Sequence, residues 1–194
     1  MFDLSYLAIV ISIIFSALFS ASETAITAVS EAKIYQLKTS GNKKAILVSK
    51  LHEEKQKFIG TILLGNNIFN ILASAIATEI SINLFGDEGV VIATIVMTVV
   101  ILIFGELLPK TYAFEHPLAV SLLLAPIINF FVIILSPIIK IFNHLVKILV
   151  KIATLGRTKK ILVSGTEELR GAIELHHQGG SVLKSDRDML GSIL

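Results

Sequence analysis

Residues 58–110 read FIGTILLGNNIFNILASAIATEISINLFGDEGVVIATIVMTVVILIFGELLPK. Two apolar runs, 58–85 and 90 to about 109, flank the short acidic stretch Gly86-Asp87-Glu88-Gly89, and Glu79 is the only charge inside the first run. An apolar helix crosses a bilayer with about 20 residues, so this stretch predicts two membrane-spanning helices joined by a tight turn. The turn carries no basic residue, whereas Lys110 follows the second run. Basic residues gather on the cytoplasmic side of a membrane, which places the turn outside and Lys110 inside.

The flanking sequence extends this topology in both directions. Residues 2–28 carry only Asp3 and Glu23 as ionisable groups and predict a first span. A secretory signal would place a basic residue ahead of a shorter apolar core; none is present, so this anchor is expected to be retained. Residues 31–57 are polar and hold Lys33, Lys38, Lys43, Lys44, Lys50, Lys55 and Lys57, with Gly41-Asn42 as a turn between two short helices. That loop is expected on the cytoplasmic side.

Residues 118–139 are long and apolar enough to cross, yet Lys110 precedes them and Lys140, Lys147, Lys151, Arg157, Lys159 and Lys160 follow. Both ends therefore read as inside. Pro126 and Pro137 each remove a backbone donor and predict a re-entrant or surface-lying helical pair, leaving three spans. Residues 139–155 alternate apolar side chains with Lys140, Lys147 and Lys151 at a helical period, the pattern of an amphipathic helix on the inner leaflet or in a belt around the spans.

After Gly156 the composition turns polar, and residues 164–194 read as two short helices separated by Gln178-Gly179-Gly180, with Thr166 as an N-terminal cap. The expected organisation is a membrane domain over 1–160 and the start of a cytoplasmic helical bundle over 161–194. Ser192-Ile193-Leu194 carries no helix-ending signal, which predicts further cytoplasmic protein beyond it.

Composition agrees with a bilayer. The 194 residues are 54% hydrophobic and 16% charged with mean hydropathy +0.80, against about 45–50% and about 25% in soluble domains. The fold class is all-α integral membrane. The absence of Cys excludes disulfides and thiolate chemistry, and a net charge of +2 argues against nucleic-acid binding.

Polar groups inside the spans carry the functional information, because they are costly in hydrocarbon and usually face protein or a cavity. Ser16 and Ser20 are four residues apart and share one face of the first helix, with Glu23 close by. Asn66 and Asn70 repeat that spacing in the second. In the third, Gly105-Glu106 lies just before Pro109, which leaves a carbonyl near Gly105 without its helical donor; freed carbonyls of this kind bind cations in transporters. Hydroxyl, amide, carbonyl and carboxylate oxygens suit Mg2+, Ca2+ or Na+ rather than zinc or copper. A set with one carboxylate would hold Mg2+ weakly, as transport requires. Structural alternatives stand beside this reading: the serines bonding back to their own helix or packing between helices, the asparagines bonding across helices, Glu106 pairing with Lys110, and Glu23 or Glu79 pairing across a dimer interface. No His or nucleophile accompanies the membrane carboxylates in a recognisable arrangement, so nothing points to an enzyme.

Residues 16–25 (SALFSASETA), 64–70 (LGNNIFN) and 104–110 (FGELLPK) together resemble, in order and spacing, the transmembrane domain of the CNNM/CorC family. Residues 166–194 are similar to the start of the acidic helical bundle that links this domain to a cytoplasmic CBS-domain pair. The resemblance implies a homodimer with an outside N-terminus and a cytoplasmic C-terminus, in the cell membrane, with three spanning helices per subunit plus juxtamembrane belt helices. It implies Mg2+ efflux exchanged for Na+, the dehydrated ion lying in an inward-facing cavity lined by Ser16, Ser20, Asn66, Asn70, Gly105 and Glu106. Glu23 and Lys110 stay outside that set, because the animal branch of the family has other residues there. The nucleotide-binding CBS pair is not among these residues. A non-transporting Mg2+ sensor or partner-binding membrane module is the alternative.

Overall fold

A computed structural model describes residues 2–153, and every regular element among them is helical. In chain order these are α1 (Phe2–Ala28), α2 (Glu31–Thr39), α3 (Lys43–Glu53), α4 (Lys55–Phe85), a 3-10 turn (Gly86–Glu88), α5 (Gly89–Val100), a π-helical segment (Ile101–Leu107), α6 (Leu108–Glu115) and α7 (Pro117–Ala153). The chain is an α-helical membrane protein. Three apolar helical runs are long enough to cross a bilayer: Leu4–Ala28, Lys55–Glu115 and Pro117–Val150.

The second run is a hairpin. α4 packs along α5, and the turn between them needs Gly86, whose φ of +64° lies in the left-handed region that other residues rarely adopt. Gly89 then starts α5 against the backbone of Ser81, where a side chain would collide. At about 1.5 Å per residue, the 31 residues of α4 extend about 46 Å, beyond the about 30 Å of a hydrocarbon core.

α1 is the hub, packing on α3, α4, the π segment and α6. Its buried face runs through Ser12, Ser16, Phe19, Ser20, Ser22 and Ala25, while Leu7, Val10, Ile11 and Ile14 are exposed, as expected of side chains that meet lipid. The phenylalanines supply much of the contact: Phe15 stacks on Phe69 of α4 at 4.7 Å, and Phe131 of α7 meets Phe19 edge-on at 5.0 Å. Phe19 reaches this position because Gly65 of α4 has no side chain; a Cβ there would lie 2.5 Å from the ring.

The polar pair α2–α3 forms as the sequence predicts. Gly41 (φ +84°) turns the chain, and the Asn42 side chain caps α3 by accepting hydrogen bonds from the Lys44 and Ala45 amides at 2.9 and 3.2 Å. Ile34, Val48 and Leu51 are buried with Ile26, Val29 and Phe58, so the hairpin is anchored to the ends of α1 and α4. At the junction with α4, a hydrogen bond from Lys57 at 2.8 Å holds the Glu54 carboxyl below its ordinary value.

One expectation is corrected. Pro126 and Pro137 do not split the fourth apolar segment into a pair; α7 is one helix through both. A proline's φ is already helical, so what it costs is a donor and a clash with the preceding turn, and both prolines stand on the exposed side while Val120, Leu124, Ile128 and Val132 are buried. The helix also runs on past Pro109. The π segment passes directly into α6, and α6 continues through Pro109 to Glu115. The first compact unit ends at Val146. The bundle expected over 161–194, its Thr166 cap and its two short helices lie outside the described residues.

Gly65→Val should lower the melting temperature in detergent through overpacking against Phe19, at a cost of about 1–3 kcal/mol; unchanged melting would show that the ring has another seat. Asn42→Ala should remove the α3 cap at a cost of about 1 kcal/mol, read as a smaller downward shift in the same assay.

Candidate cation site

The three polar motifs converge. Ser16 is fully buried, and its hydroxyl donates to the Asn66 side-chain oxygen at 2.7 Å, joining α1 to α4. Asn70 donates its amide to that same oxygen at 3.5 Å, as the four-residue spacing requires. Ser20, also fully buried, points its hydroxyl at the main-chain carbonyl of Glu106 at 3.5 Å. Gly105 faces Ser16 closely enough that a Cβ would lie 3.0 Å from its hydroxyl oxygen. A residue larger than glycine would therefore push the π segment off α1.

These contacts decide between the readings of the serines. Ser12 and Ser22 return their protons to the carbonyls of Ala8 and Leu18, four residues back in α1. Ser16 and Ser20 reach other elements instead. Asn67, between the two convergent asparagines, bonds back to Leu63 and is exposed. Polarity alone does not separate these residues; the helix facing each one does.

The site is rich in acceptors. Asn66 Oδ1 already accepts two hydrogen bonds, whereas Asn70 Oδ1 is buried with no partner among the described residues. Leaving a buried polar oxygen unpaired costs roughly 1–3 kcal/mol. The π segment adds main-chain oxygens: the Leu108 amide bonds five residues back to Ile103, and Pro109 has no N–H with which to continue that register. Among the described residues no cluster of three or more His, Asp or Glu is arranged to hold a metal. The converging oxygens are mostly neutral, of the kind that coordinate hard cations.

Charge is arranged one turn further along. Lys110 pairs with Glu23 at 3.4 Å, linking α6 to α1, so the alternative of a Glu106–Lys110 pair is not realised. The link lies three residues beyond Ser20 and four beyond Glu106 on their respective helices. Both partners are partly exposed, and such a pair contributes about 0–1 kcal/mol; its effect is to fix α6 beside the site. Glu106 lines a separate groove between α4 and α5, with Ser74, Thr78, Thr94 and Thr98 among its neighbours. These four hydroxyl residues were not anticipated. The signal for Ser74 and Thr78 is the Asn66–Asn70 spacing continued along α4, and for Thr94 and Thr98 the same four-residue spacing on α5.

Comparison with known proteins follows the same motifs. Residues 7–186 match the family described as CNNM, the Cyclin M transmembrane N-terminal domain. The chain is 38% identical over 186 residues to the UPF0053 inner membrane protein YfjD of Escherichia coli, covering 92% of this chain and 42% of that protein. A UPF0053 protein of Haemophilus influenzae is 37% identical over 168 residues, 87% of this chain and 40% of that protein. A chloroplastic DUF21 domain-containing protein of Arabidopsis thaliana is 29% identical over 180 residues, 92% of this chain and 27% of that protein. The chain thus spans about two fifths of the length of these two bacterial proteins. Since the family match takes in the polar positions of α1, α4 and the π segment and extends past α7, the chain belongs to the CNNM family of membrane domains.

Proposed function

We propose that this chain is the membrane domain of a divalent-cation transporter whose cargo, Mg2+, exchanges water for the oxygens of Ser16, Ser20, Asn66, Asn70, Gly105 and Glu106. The observation that carries the reading is Asn70 Oδ1, a buried carbonyl oxygen without a partner beside an amide that already bridges two helices. In hydrocarbon such an oxygen is a liability; beside a cation it is a ligand. Neutral oxygens dominate the set, so Mg2+ is held weakly enough to leave, as a carrier needs.

The lysine-rich α2–α3 hairpin supports a cytoplasmic position for that end of the molecule. The α4–α5 turn and the N-terminus then face outward, the C-terminus is cytoplasmic, and the protein resides in the cell membrane. Mg2+ leaves the cell in exchange for Na+, the working unit is a homodimer, and a cytoplasmic CBS pair completes the full-length protein.

Calorimetry on the purified chain should show saturable Mg2+ binding, and Asn70→Ala should weaken it at least about tenfold, equivalent to about 1.4 kcal/mol. In proteoliposomes loaded with a Mg2+ dye, the wild type should carry a Na+-dependent flux that Asn70→Ala abolishes. Equal, Na+-independent flux in both would reject the transporter. Binding without flux under any gradient would instead assign the chain a sensing or partner-binding role.

A further inference from the structure

The polar row on α4 does not end at the site. Asn66, Asn70, Ser74 and Thr78 follow one another at intervals of four residues. Each such step advances about 40° around a helix of 3.6 residues per turn, so the row winds about 120° between Asn66 and Thr78. Its first member meets Ser16 on α1. Its last two line the groove on the other side of α4, facing Thr94 and Thr98 of α5, with Glu106.

Three of the four hydroxyls of this groove are chemically biased. Thr78 donates its proton to the Ser74 carbonyl at 2.8 Å, Thr94 to Val90 at 2.8 Å and Thr98 to Thr94 at 2.7 Å. With the protons committed to the helix backbone, the oxygens offer only lone pairs to the groove. Glu106 is the one ionisable residue of the lining, and among the described residues its carboxylate has no ion pair or hydrogen bond. The groove has a volume of about 380 Å³, room for a cation together with water. A groove that presents a carboxyl group and three hydroxyl oxygens able only to accept is expensive at membrane depth unless water or a cation occupies it.

We propose that the groove between α4 and α5, lined by Ser74, Thr78, Thr94, Thr98 and Glu106, is a second cation position, where a hard cation sits with part of its water shell and from which it passes along the α4 row to the dehydrating site. The assignment of cargo rests on the transport reading above; the cation selectivity of the groove does not. Thr78, Thr94 and Thr98 set that selectivity by turning their protons away, and Glu106 stands where the groove meets the π segment.

The chain has no cysteine, so Thr78→Cys, Thr94→Cys and Thr98→Cys each introduce a single thiol into the full chain in proteoliposomes. Val99→Cys, exposed and outside the groove, is the lipid-facing control. Groove thiols should react with a cationic methanethiosulfonate roughly tenfold or more faster than with an anionic one, Mg2+ should slow that reaction, and Val99→Cys should stay unmodified. Adding Thr98→Val to Thr94→Cys removes one acceptor at similar volume and should reduce the protection by Mg2+ while leaving the melting temperature in place. Equal rates with both reagents, or no reaction at any groove thiol, would overturn the proposal. So would disulfide formation between two chains through Thr94→Cys, which would mean that a second copy fills the groove. The two readings fail separately: charge-indifferent labelling with intact calorimetric Mg2+ binding removes the groove alone. A retained charge preference with no Mg2+ binding removes the cargo assignment alone.

Discussion

The hydrogen bond from Ser16 to Asn66 at 2.7 Å is the contact on which the rest of the membrane core depends. A glycine lies close to it on each of the two elements that face α1. Gly65 lets the Phe19 ring lie on α4, and Gly105 lets the π segment come up to Ser16. In a bilayer the attraction between spans comes from close packing and from polar groups with no other partner, since apolar side chains gain little by leaving lipid. Two glycines and a serine–asparagine pair supply both. The aromatic cluster of Phe15, Phe19, Phe69 and Phe131 then closes the same level and brings in α7.

The second constraint is backbone rather than side chain. From Ile101 to Leu107 the third polar motif lies in a π segment, not in regular α-helix. Such segments are rare, and most occur as single-turn insertions at functional sites. Here the wider turn precedes Pro109, which can supply no N–H to it, and the Glu106 carbonyl is presented to Ser20. Glycine at 105 answers the close approach and glutamate at 106 supplies charge beside the α4–α5 groove, so a single irregular turn serves both the convergent oxygens and the groove.

Much of this was legible in the chain. The extents of α1 and α4, the Gly41-Asn42 and Gly86–Gly89 turns and the polar α2–α3 pair follow from hydropathy and turn chemistry, all local properties. The i, i+4 pairs identified the faces of α1 and α4 that carry oxygen. Less legible was the fate of the prolines. Pro126, Pro137 and Pro109 each lack a donor, but whether a helix bends, breaks or continues depends on which face the ring occupies, and that is decided by the neighbouring helices. Likewise the sequence pairs Lys110 with Glu106 at helical spacing and leaves Glu23 to a dimer interface, whereas packing of α6 on α1 joins Lys110 to Glu23.

By itself, then, the sequence determined that the chain is a helical membrane protein, where its helices turn back, and which residues carry oxygen at membrane depth. Periodicity and composition act within one helix, and they suffice for that. Only the tertiary structure decided that Ser16 and Ser20 reach across to other elements while Ser12 and Ser22 bond within their own helix, that Asn70 keeps an oxygen unpaired, and that Thr94 and Thr98 share a groove with Glu106. A hydroxyl or amide satisfies itself with whichever acceptor is nearest, and the nearest one is set by how closely two helices approach. That distance depends on residues such as Gly65 and Gly105, whose effect appears only when another helix is laid against them.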